Sequence, residues 1–288
     1  MRNAVAILGA GTQGRRLAYM WSRRGRPVHL VDQAPAALEG ALKDIDKFKN
    51  TIGKIDGHQH GTVSTFSGEK LDEAMSGAWL VVENVPESLK LKRSVIQQLD
   101  EIADADTIVA SNSSSFTIQE IIDSLDLKNP SRCVSLHSFG YFLTTQADWP
   151  PETPAIEIMG SNITKSEIIP RLMEECRNHG FEPFHVKKDS NGYIYNRIWA
   201  AIKREALFVA AEGIATPTEI DSIYKSVLKT PKGPFEQMDT VGLDVVKDIE
   251  EHYAENRDSL PREPRDLLAR MIRDGKLGVK TGEGFYKY

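Results

Sequence analysis

The sequence predicts an α/β chain: a doubly wound parallel sheet at the N-terminal side, followed by an all-helical C-terminal part. Three observations predict it. Short apolar runs alternate with helix-like stretches over the first two thirds of the chain, as strands joined by crossover helices do. A glycine-rich turn links the first run to the first helix. Beyond about residue 188 the apolar runs give way to helical periodicity.

Taken in order, AVAIL at 4–8 reads as a buried strand. A helix is expected over 12–25, with Leu17, Met20 and Trp21 at helical spacing. PVHLVD at 27–32 is the next strand, and a charged helix follows to about 50. WLVVENV at 79–85 is a strand, followed by a helix over about 87–103. TIVASN at 107–112, CVSLHS at 133–138 and AIEIM at 155–159 complete the expected strands. KKDSNG at 187–192 is polar and turn-prone. The domains are therefore expected as 1–188 and 189–288, with a long helix opening the second and helices continuing to about 275.

Composition narrows the function. The 288 residues carry 40% hydrophobic and 27% charged residues, a globular profile, with a formal net charge of −5. A surface of that sign repels nucleic acid and anionic lipid, so neither is an expected partner. The two cysteines, Cys133 and Cys176, lie far apart without metal-ligand spacing and read as reduced thiols. With no apolar run near the ~18 residues a membrane span needs, and a strand beginning almost at once, the expected location is cytoplasmic. No metal site is expected.

GAGTQG at 9–14 carries the first chemistry. Three glycines at this spacing are weak evidence alone, but here they follow a predicted strand and open a predicted helix. Gly9 permits a tight turn, Gly11 lets the backbone approach a pyrophosphate, and Gly14 allows close helix–strand packing. Free N–H groups at the helix start then face the phosphates. Asp32 ends the second strand, where a carboxylate accepts hydrogen bonds from ribose hydroxyls and repels a 2′-phosphate. The loop, a Rossmann-type dinucleotide site, therefore favours NAD over NADP.

Of seven histidines, His137 stands apart because it ends a strand on the edge where doubly wound sheets bind ligands. Asn112 and the serines that follow end the preceding strand in the same way. Oxidising an alcohol needs a base for the hydroxyl proton, and histidine suits it. Such a ring needs a carboxylate to orient it. Glu157, inside an apolar strand, is the candidate; alternation alone leaves open an exposed edge strand instead. Asn196, a poor helix former inside a predicted helix, is a further candidate, with a solvent-facing position or a cap left open.

These residues resemble the short-chain L-3-hydroxyacyl-CoA dehydrogenases, a family that includes 3-hydroxybutyryl-CoA dehydrogenases. The likeness covers nearly the whole chain. It is carried by GAGTQG at 9–14, VVENVPESLKLK at 81–92, SNSSS at 111–115, His137, GYIYNR at 192–197, GPFEQMDTVGLD at 233–244 and KLGVKTGEGFYKY at 276–288. The resemblance implies that His137 is the general acid/base and Glu157 its orienting carboxylate. Ser114 and Asn196 would hydrogen-bond the reacting oxygen. Gly9, Gly11, Thr12, Gln13, Gly14 and Asp32 would hold NAD, with Glu87, Lys92 and Lys280 lining the same site. It also implies a small-molecule substrate, a place in fatty-acid metabolism and a homodimer formed through the helical domain.

Three departures bear on substrate. The family's usual His-Phe-Phe-Asn-Pro is here His137-Ser138-Phe139-Gly140-Tyr141, and Gly140 cannot supply the side-chain contact that the Asn makes to nicotinamide. The stretch from His137 to Glu157 is longer than usual, and this insertion is expected over the substrate site. Residues 48–62 are shorter than the helical hairpin that clamps CoA in the family. ENVPESLKLK and SNSSS also resemble CoA-independent relatives, the L-gulonate 3-dehydrogenases and carnitine dehydrogenases. The expected activity is NAD-dependent interconversion of a 3-hydroxyacyl group, as its CoA thioester, and the 3-oxo form. A free 3-hydroxy acid substrate and a non-catalytic NAD-binding protein are the alternatives.

Overall fold

The computed structural model describes residues 3–52, 57–140 and 150–288. They form two compact units, the first ending at Tyr193 and the second running from Ile194 to Tyr288.

The first unit is built on one eight-stranded sheet. Its strands are β1 (Ala4–Leu8), β2 (Val28–Asp32), β3 (Val63–Ser67), β4 (Ala78–Glu83), β5 (Ile108–Ser111), β6 (Cys133–Ser138), β7 (Ala155–Gly160) and β8 (Glu182–Val186). Between them lie α1 (Thr12–Ser22), α2 (Pro35–Thr51), α3 (Leu71–Met75), α4 (Leu89–Ile102), α5 (Ile118–Ile122) and α6 (Ile168–Asn178). The spatial order is β3-β2-β1-β4-β5-β6-β7-β8. The chain winds outward from β1 through β3, then returns to β4 on β1's other side. That reversal opens the crevice beyond the carboxyl ends of β1 and β4.

Every residue of β1, β4, β5 and β6 is buried, as both-face coverage requires. One core packs beneath α1, α2 and α6 around Leu17, Ile45 and Leu172. The other lies beneath α3, α4 and α5 around Leu71, Ile96 and Ile121.

The sheet differs from expectation in three places. It is not wholly parallel, since β7 runs antiparallel to β6. β3 was not expected, because Val-Ser-Thr-Phe-Ser is an edge strand whose residues are all half-buried or exposed, so it needs no apolar run. β7 is not an edge, because β8 pairs with it in parallel. The expected insertion falls largely on residues 141–149, outside the described residues.

The second unit holds α7 (Tyr195–Ala211), α8 (Pro217–Leu228), α9 (Pro234–Val241), α10 (Leu243–Glu255) and α11 (Glu263–Arg273). α7 starts later than its helical periodicity suggests, because Gly192 and Tyr193 both adopt left-handed φ, 77° and 54°. Leu207, Phe235, Met238, Val246 and Leu268 form its core. Two buried aspartates fasten the ends. Asp221 accepts the Phe235 and Glu236 N–H groups at the start of α9, both at 2.9 Å. Asp239 accepts the Phe285 and Tyr286 N–H groups at 3.0 and 2.9 Å and pins the C-terminal hairpin.

Among the described residues no helix is long and apolar enough to cross a membrane. None of their His, Cys, Asp and Glu side chains cluster as a metal site would need.

Candidate active site

The glycine loop has three distinct geometries. Gly9 sits at φ 101°, and a Cβ there would lie 2.6 Å from the Asn84 carbonyl oxygen. A Cβ on Gly14 would meet the Gly9 carbonyl oxygen at 1.7 Å, so α1 packs against the loop only because this residue has no side chain. Gly11 differs from both: a Cβ there meets nothing within 4 Å. It is also the N-cap of α1 and offers no side-chain acceptor to the helix N–H groups. Open space in front of uncapped donors is what an approaching phosphate requires. Thr12 beside it is exposed.

Gln13 bridges this loop to the end of β6. Its Nε2 donates to the Ser138 and Phe139 carbonyls at 3.1 and 2.9 Å. Two carbonyl partners fix the orientation of the amide, and its Oε1 is left buried with no donor among the described residues. Asp32 is engaged in the turn it ends. One carboxylate oxygen accepts the Ala10 N–H at 2.7 Å, the other the Ala34 N–H at 2.8 Å.

A buried ion network stands behind the loops after β4 and β5. Lys92 on α4 is 1% exposed. Its ammonium meets Glu83 at 2.9 Å, Glu87 at 3.2 Å and the Val85 carbonyl at 3.2 Å, so all three donors are taken inside the fold. Glu83 also accepts from Ser111 Oγ at 2.7 Å. Glu87 Oε1 accepts Ser113 Oγ at 2.6 Å and the Ser115 N–H at 2.8 Å. Burial alone would raise the Glu87 carboxyl, but the Lys92 charge and these hydrogen bonds outweigh it and hold it below the usual carboxylate range. Ser114, between the two anchored serines, is exposed.

β6 and β7 bring together the expected histidine and carboxylate. Their register sets His137 directly opposite Glu157. His137 Nδ1 and Glu157 Oε2 are 3.0 Å apart, and the residues are 3% and 2% exposed. A carboxylate can only accept, so Nδ1 is the donor of this hydrogen bond. Nε2 makes no hydrogen bond among the described residues. The ring also touches Phe139 edge-on at 4.9 Å and Tyr193 face-on at 4.7 Å. The exposed-edge reading of Glu157 is thereby overturned, because β8 covers the strand that carries it.

Two expected site residues lie in the second unit. Asn196, in the first turn of α7, has a buried Oδ1 with no partner among the described residues. Lys280 bridges both Asp244 oxygens at 2.5 Å.

Residues 4–190 match the family model for the NAD-binding domain of 3-hydroxyacyl-CoA dehydrogenase, and residues 192–288 match the model for its C-terminal domain. The chain belongs to the 3-hydroxyacyl-CoA dehydrogenase family. Mitochondrial hydroxyacyl-coenzyme A dehydrogenase from Rattus norvegicus is 32% identical over 295 positions, covering 99% of this chain and 90% of that one. A 5-formyl-3-hydroxy-2-methylpyridine 4-carboxylate 5-dehydrogenase from Mesorhizobium japonicum is 30% identical with the same two coverages, 99% and 90%. The crystal structure of (S)-3-hydroxybutyryl-CoA dehydrogenase from Ralstonia eutropha superposes with a TM-score of 0.84 at 25% identity, covering 100% and 99% of the two chains. NAD is the cofactor of this family's first domain, and the open Gly11, the uncapped α1 and the orphaned Gln13 oxygen fit it.

Sequence reasoning missed Glu83 and Tyr193. Glu83 carries no signal beyond a charged residue closing an apolar strand. Tyr193 carries one, an aromatic directly after Ser-Asn-Gly where a turn needs none.

Proposed function

We propose that this protein interconverts a 3-hydroxyacyl-CoA and its 3-oxo form, with NAD as the oxidant and NADH as the reductant. The observation that carries the reading is the His137–Glu157 pair, with one imidazole nitrogen on a carboxylate and the other without a hydrogen-bond partner among the described residues, at the carboxyl edge of the sheet. NAD supplies the two-electron acceptor. His137 Nε2 removes the substrate hydroxyl proton as the carbon is oxidised, and returns it in reduction. Glu157 orients the ring and stabilises the imidazolium that forms. Ser114, presented by the Glu87-anchored loop, hydrogen-bonds the oxygen on which charge develops. Asn196 takes the same task on the family likeness alone.

Gly9, Gly11, Thr12, Gln13, Gly14 and Asp32 are assigned to NAD, with Glu87 beside them. Lys92 acts through Glu87, because its own donors are used. Lys280 is assigned on the likeness. The first unit is the NAD-binding domain. The second is the substrate and dimerisation domain, where Ile198, Ile214, Ile223 and Val227 leave apolar surface exposed. A homodimer covers such a face. Two buried, reduced cysteines suit a cytoplasmic location.

A free hydroxy acid is the second reading. It is favoured by the short stretch between α2 and β3, in which residues 57–62 hold no helix, and by a relative named for a pyridine carboxylate. The deciding experiment follows NADH absorbance with purified protein, offering acetoacetyl-CoA and acetoacetate side by side. Oxidation with the thioester alone is expected. Turnover of the free acid alone moves the protein to the second reading, and NADH binding with neither reaction counts against both.

A further inference from the structure

His137 is held at more than its Nδ1. Tyr193 lies flat against the imidazole, with ring centroids 4.7 Å apart and planes 11° from parallel. The tyrosine is 2% exposed, and its hydroxyl donates to the Ser113 carbonyl at 2.8 Å. Ser113 precedes Ser114 and shares the Glu87 carboxylate with Ser115. One side chain therefore touches both the ring of the acid/base and the loop that presents the oxygen-binding serine.

The backbone beneath it is unusual. Tyr193 has φ 54°, directly after Gly192 at 77°. A bulky residue rarely adopts this left-handed region, where its Cβ crowds the following carbonyl oxygen. The turn is held by a reciprocal pair of contacts: Tyr193 N–H donates to the Ser190 carbonyl at 2.9 Å, and Ser190 Oγ donates to the Tyr193 carbonyl at 2.9 Å. Strain of this kind persists only where its surroundings over-determine it, and it gathers at functional sites.

The Glu157 contact alone does not fix the ring. A single hydrogen bond at Nδ1 leaves rocking about the Cβ–Cγ bond, a torsion with broad minima in histidine. A flat aromatic face on one side and the Phe139 edge on another remove that freedom. We propose that Tyr193 is a positioning residue: its ring fixes the orientation of the His137 imidazole, and its hydroxyl ties that ring to the Ser113–Ser115 loop. The inference rests on the acid/base role of His137. Displacing a reacting atom by about an ångström costs on the order of 10²-fold in rate, which sets the scale of the effect.

Tyr193 also fills a small apolar cluster with Met159 and Val186, so the test must separate packing from positioning. Wild type is compared with Tyr193→Phe, which keeps the ring, and Tyr193→Leu, which keeps apolar bulk. The measurements are Kd for NADH by fluorescence titration, and kcat and KM for NADH oxidation with acetoacetyl-CoA. Tyr193→Leu is expected to lose about 30-fold or more in kcat, with Kd for NADH within about twofold and KM within about threefold. Tyr193→Phe is expected to recover most of that loss and remain a few-fold below wild type. A Tyr193→Leu kcat within twofold of wild type overturns the proposal, as does a parallel loss of kcat and NADH binding. If wild type itself does not turn over acetoacetyl-CoA, the functional reading has failed, and the clamp is read by NMR relaxation of the His137 Cε1–H group. Restricted ring motion in wild type and Tyr193→Phe, released in Tyr193→Leu, supports the clamp. Equal restriction in all three refutes it.

Discussion

The first unit buries two histidines, and it uses them differently. At the carboxyl edge, His137 is 3% exposed and sets Nδ1 against the Glu157 carboxylate at 3.0 Å. At the end of α6, just before β8, His179 is 1% exposed and sets Nδ1 against the Glu175 backbone carbonyl at 2.8 Å. Its ring lies 4.9 Å from Trp21, and its Nε2 is buried without a partner among the described residues. Burial pushes His179 down to about 4, and the Arg26, Arg24 and Arg23 charges add to the shift. The Glu175 carboxylate stands 3.9 Å from Nδ1, beyond hydrogen-bond reach. His179 is thus a neutral filler held by a backbone carbonyl, whereas His137 sets the same nitrogen against a carboxylate. The residue type is common to both places; what differs is the partner at Nδ1, a backbone carbonyl for His179 and a carboxylate for His137.

The contrast can be broken at His179 first. An unfolded histidine binds its proton near pH 6.5, and folded His179 binds it near 4. The unfolded state therefore takes up the proton first, and stability falls as pH drops through that window, by up to about 3 kcal/mol. Urea unfolding between pH 7.5 and 4 checks this. His179→Phe is expected to lie within about 1 kcal/mol of wild type at pH 7.5 and to show a shallower loss on acidification. Parallel curves would mean that His179 is not held neutral.

Glu157→Gln tests the carboxyl edge, where His137 sits, with a smaller effect. The substitution keeps a hydrogen-bond acceptor for Nδ1 and removes the charge. A kcat lower by about 10- to 100-fold, roughly 1.4–2.8 kcal/mol, is expected with little change in NADH affinity. Steady-state kinetics beside a binding titration separates the two. Unchanged kcat would mean that the carboxylate only fills space.

Gly11→Ala sharpens the loop side of the same edge. Nothing in the fold meets the added methyl group, so the thermal midpoint should stay put while NADH binding weakens several-fold, about 1 kcal/mol. Calorimetry with NADH measures both, and a lower midpoint would show that Gly11 is there for packing.

Much of this was legible in the sequence where one strand or loop carries its own signal. AVAIL, the WLVVE of WLVVENV and CVSLHS are buried on both faces, so their apolar runs announce them, and strand followed by glycines followed by helix fixes the loop. What escaped depends on partners distant in the chain. β3 is an edge strand and needs no apolar run. Whether Glu157 faced solvent or His137 could not be read from alternation, because the answer lies in the β6–β7 register and in the cover that β8 provides. Lys92 was legible as a site residue, but not that Glu83 and Glu87 consume its donors. Tyr193 sat inside what helical periodicity made a continuous helix, and only the left-handed turn at 192–193 frees its ring to face His137.

The measurement that bears most directly on the central claim is kcat/KM of His137→Gln for NADH oxidation with acetoacetyl-CoA, taken beside its Kd for NADH and its thermal midpoint. General acid–base catalysis contributes about 10²- to 10⁴-fold. The account predicts a loss in that range, with NADH binding and midpoint close to wild type. Activity within a few-fold of wild type would contradict it, and would make His137 a second buried filler like His179.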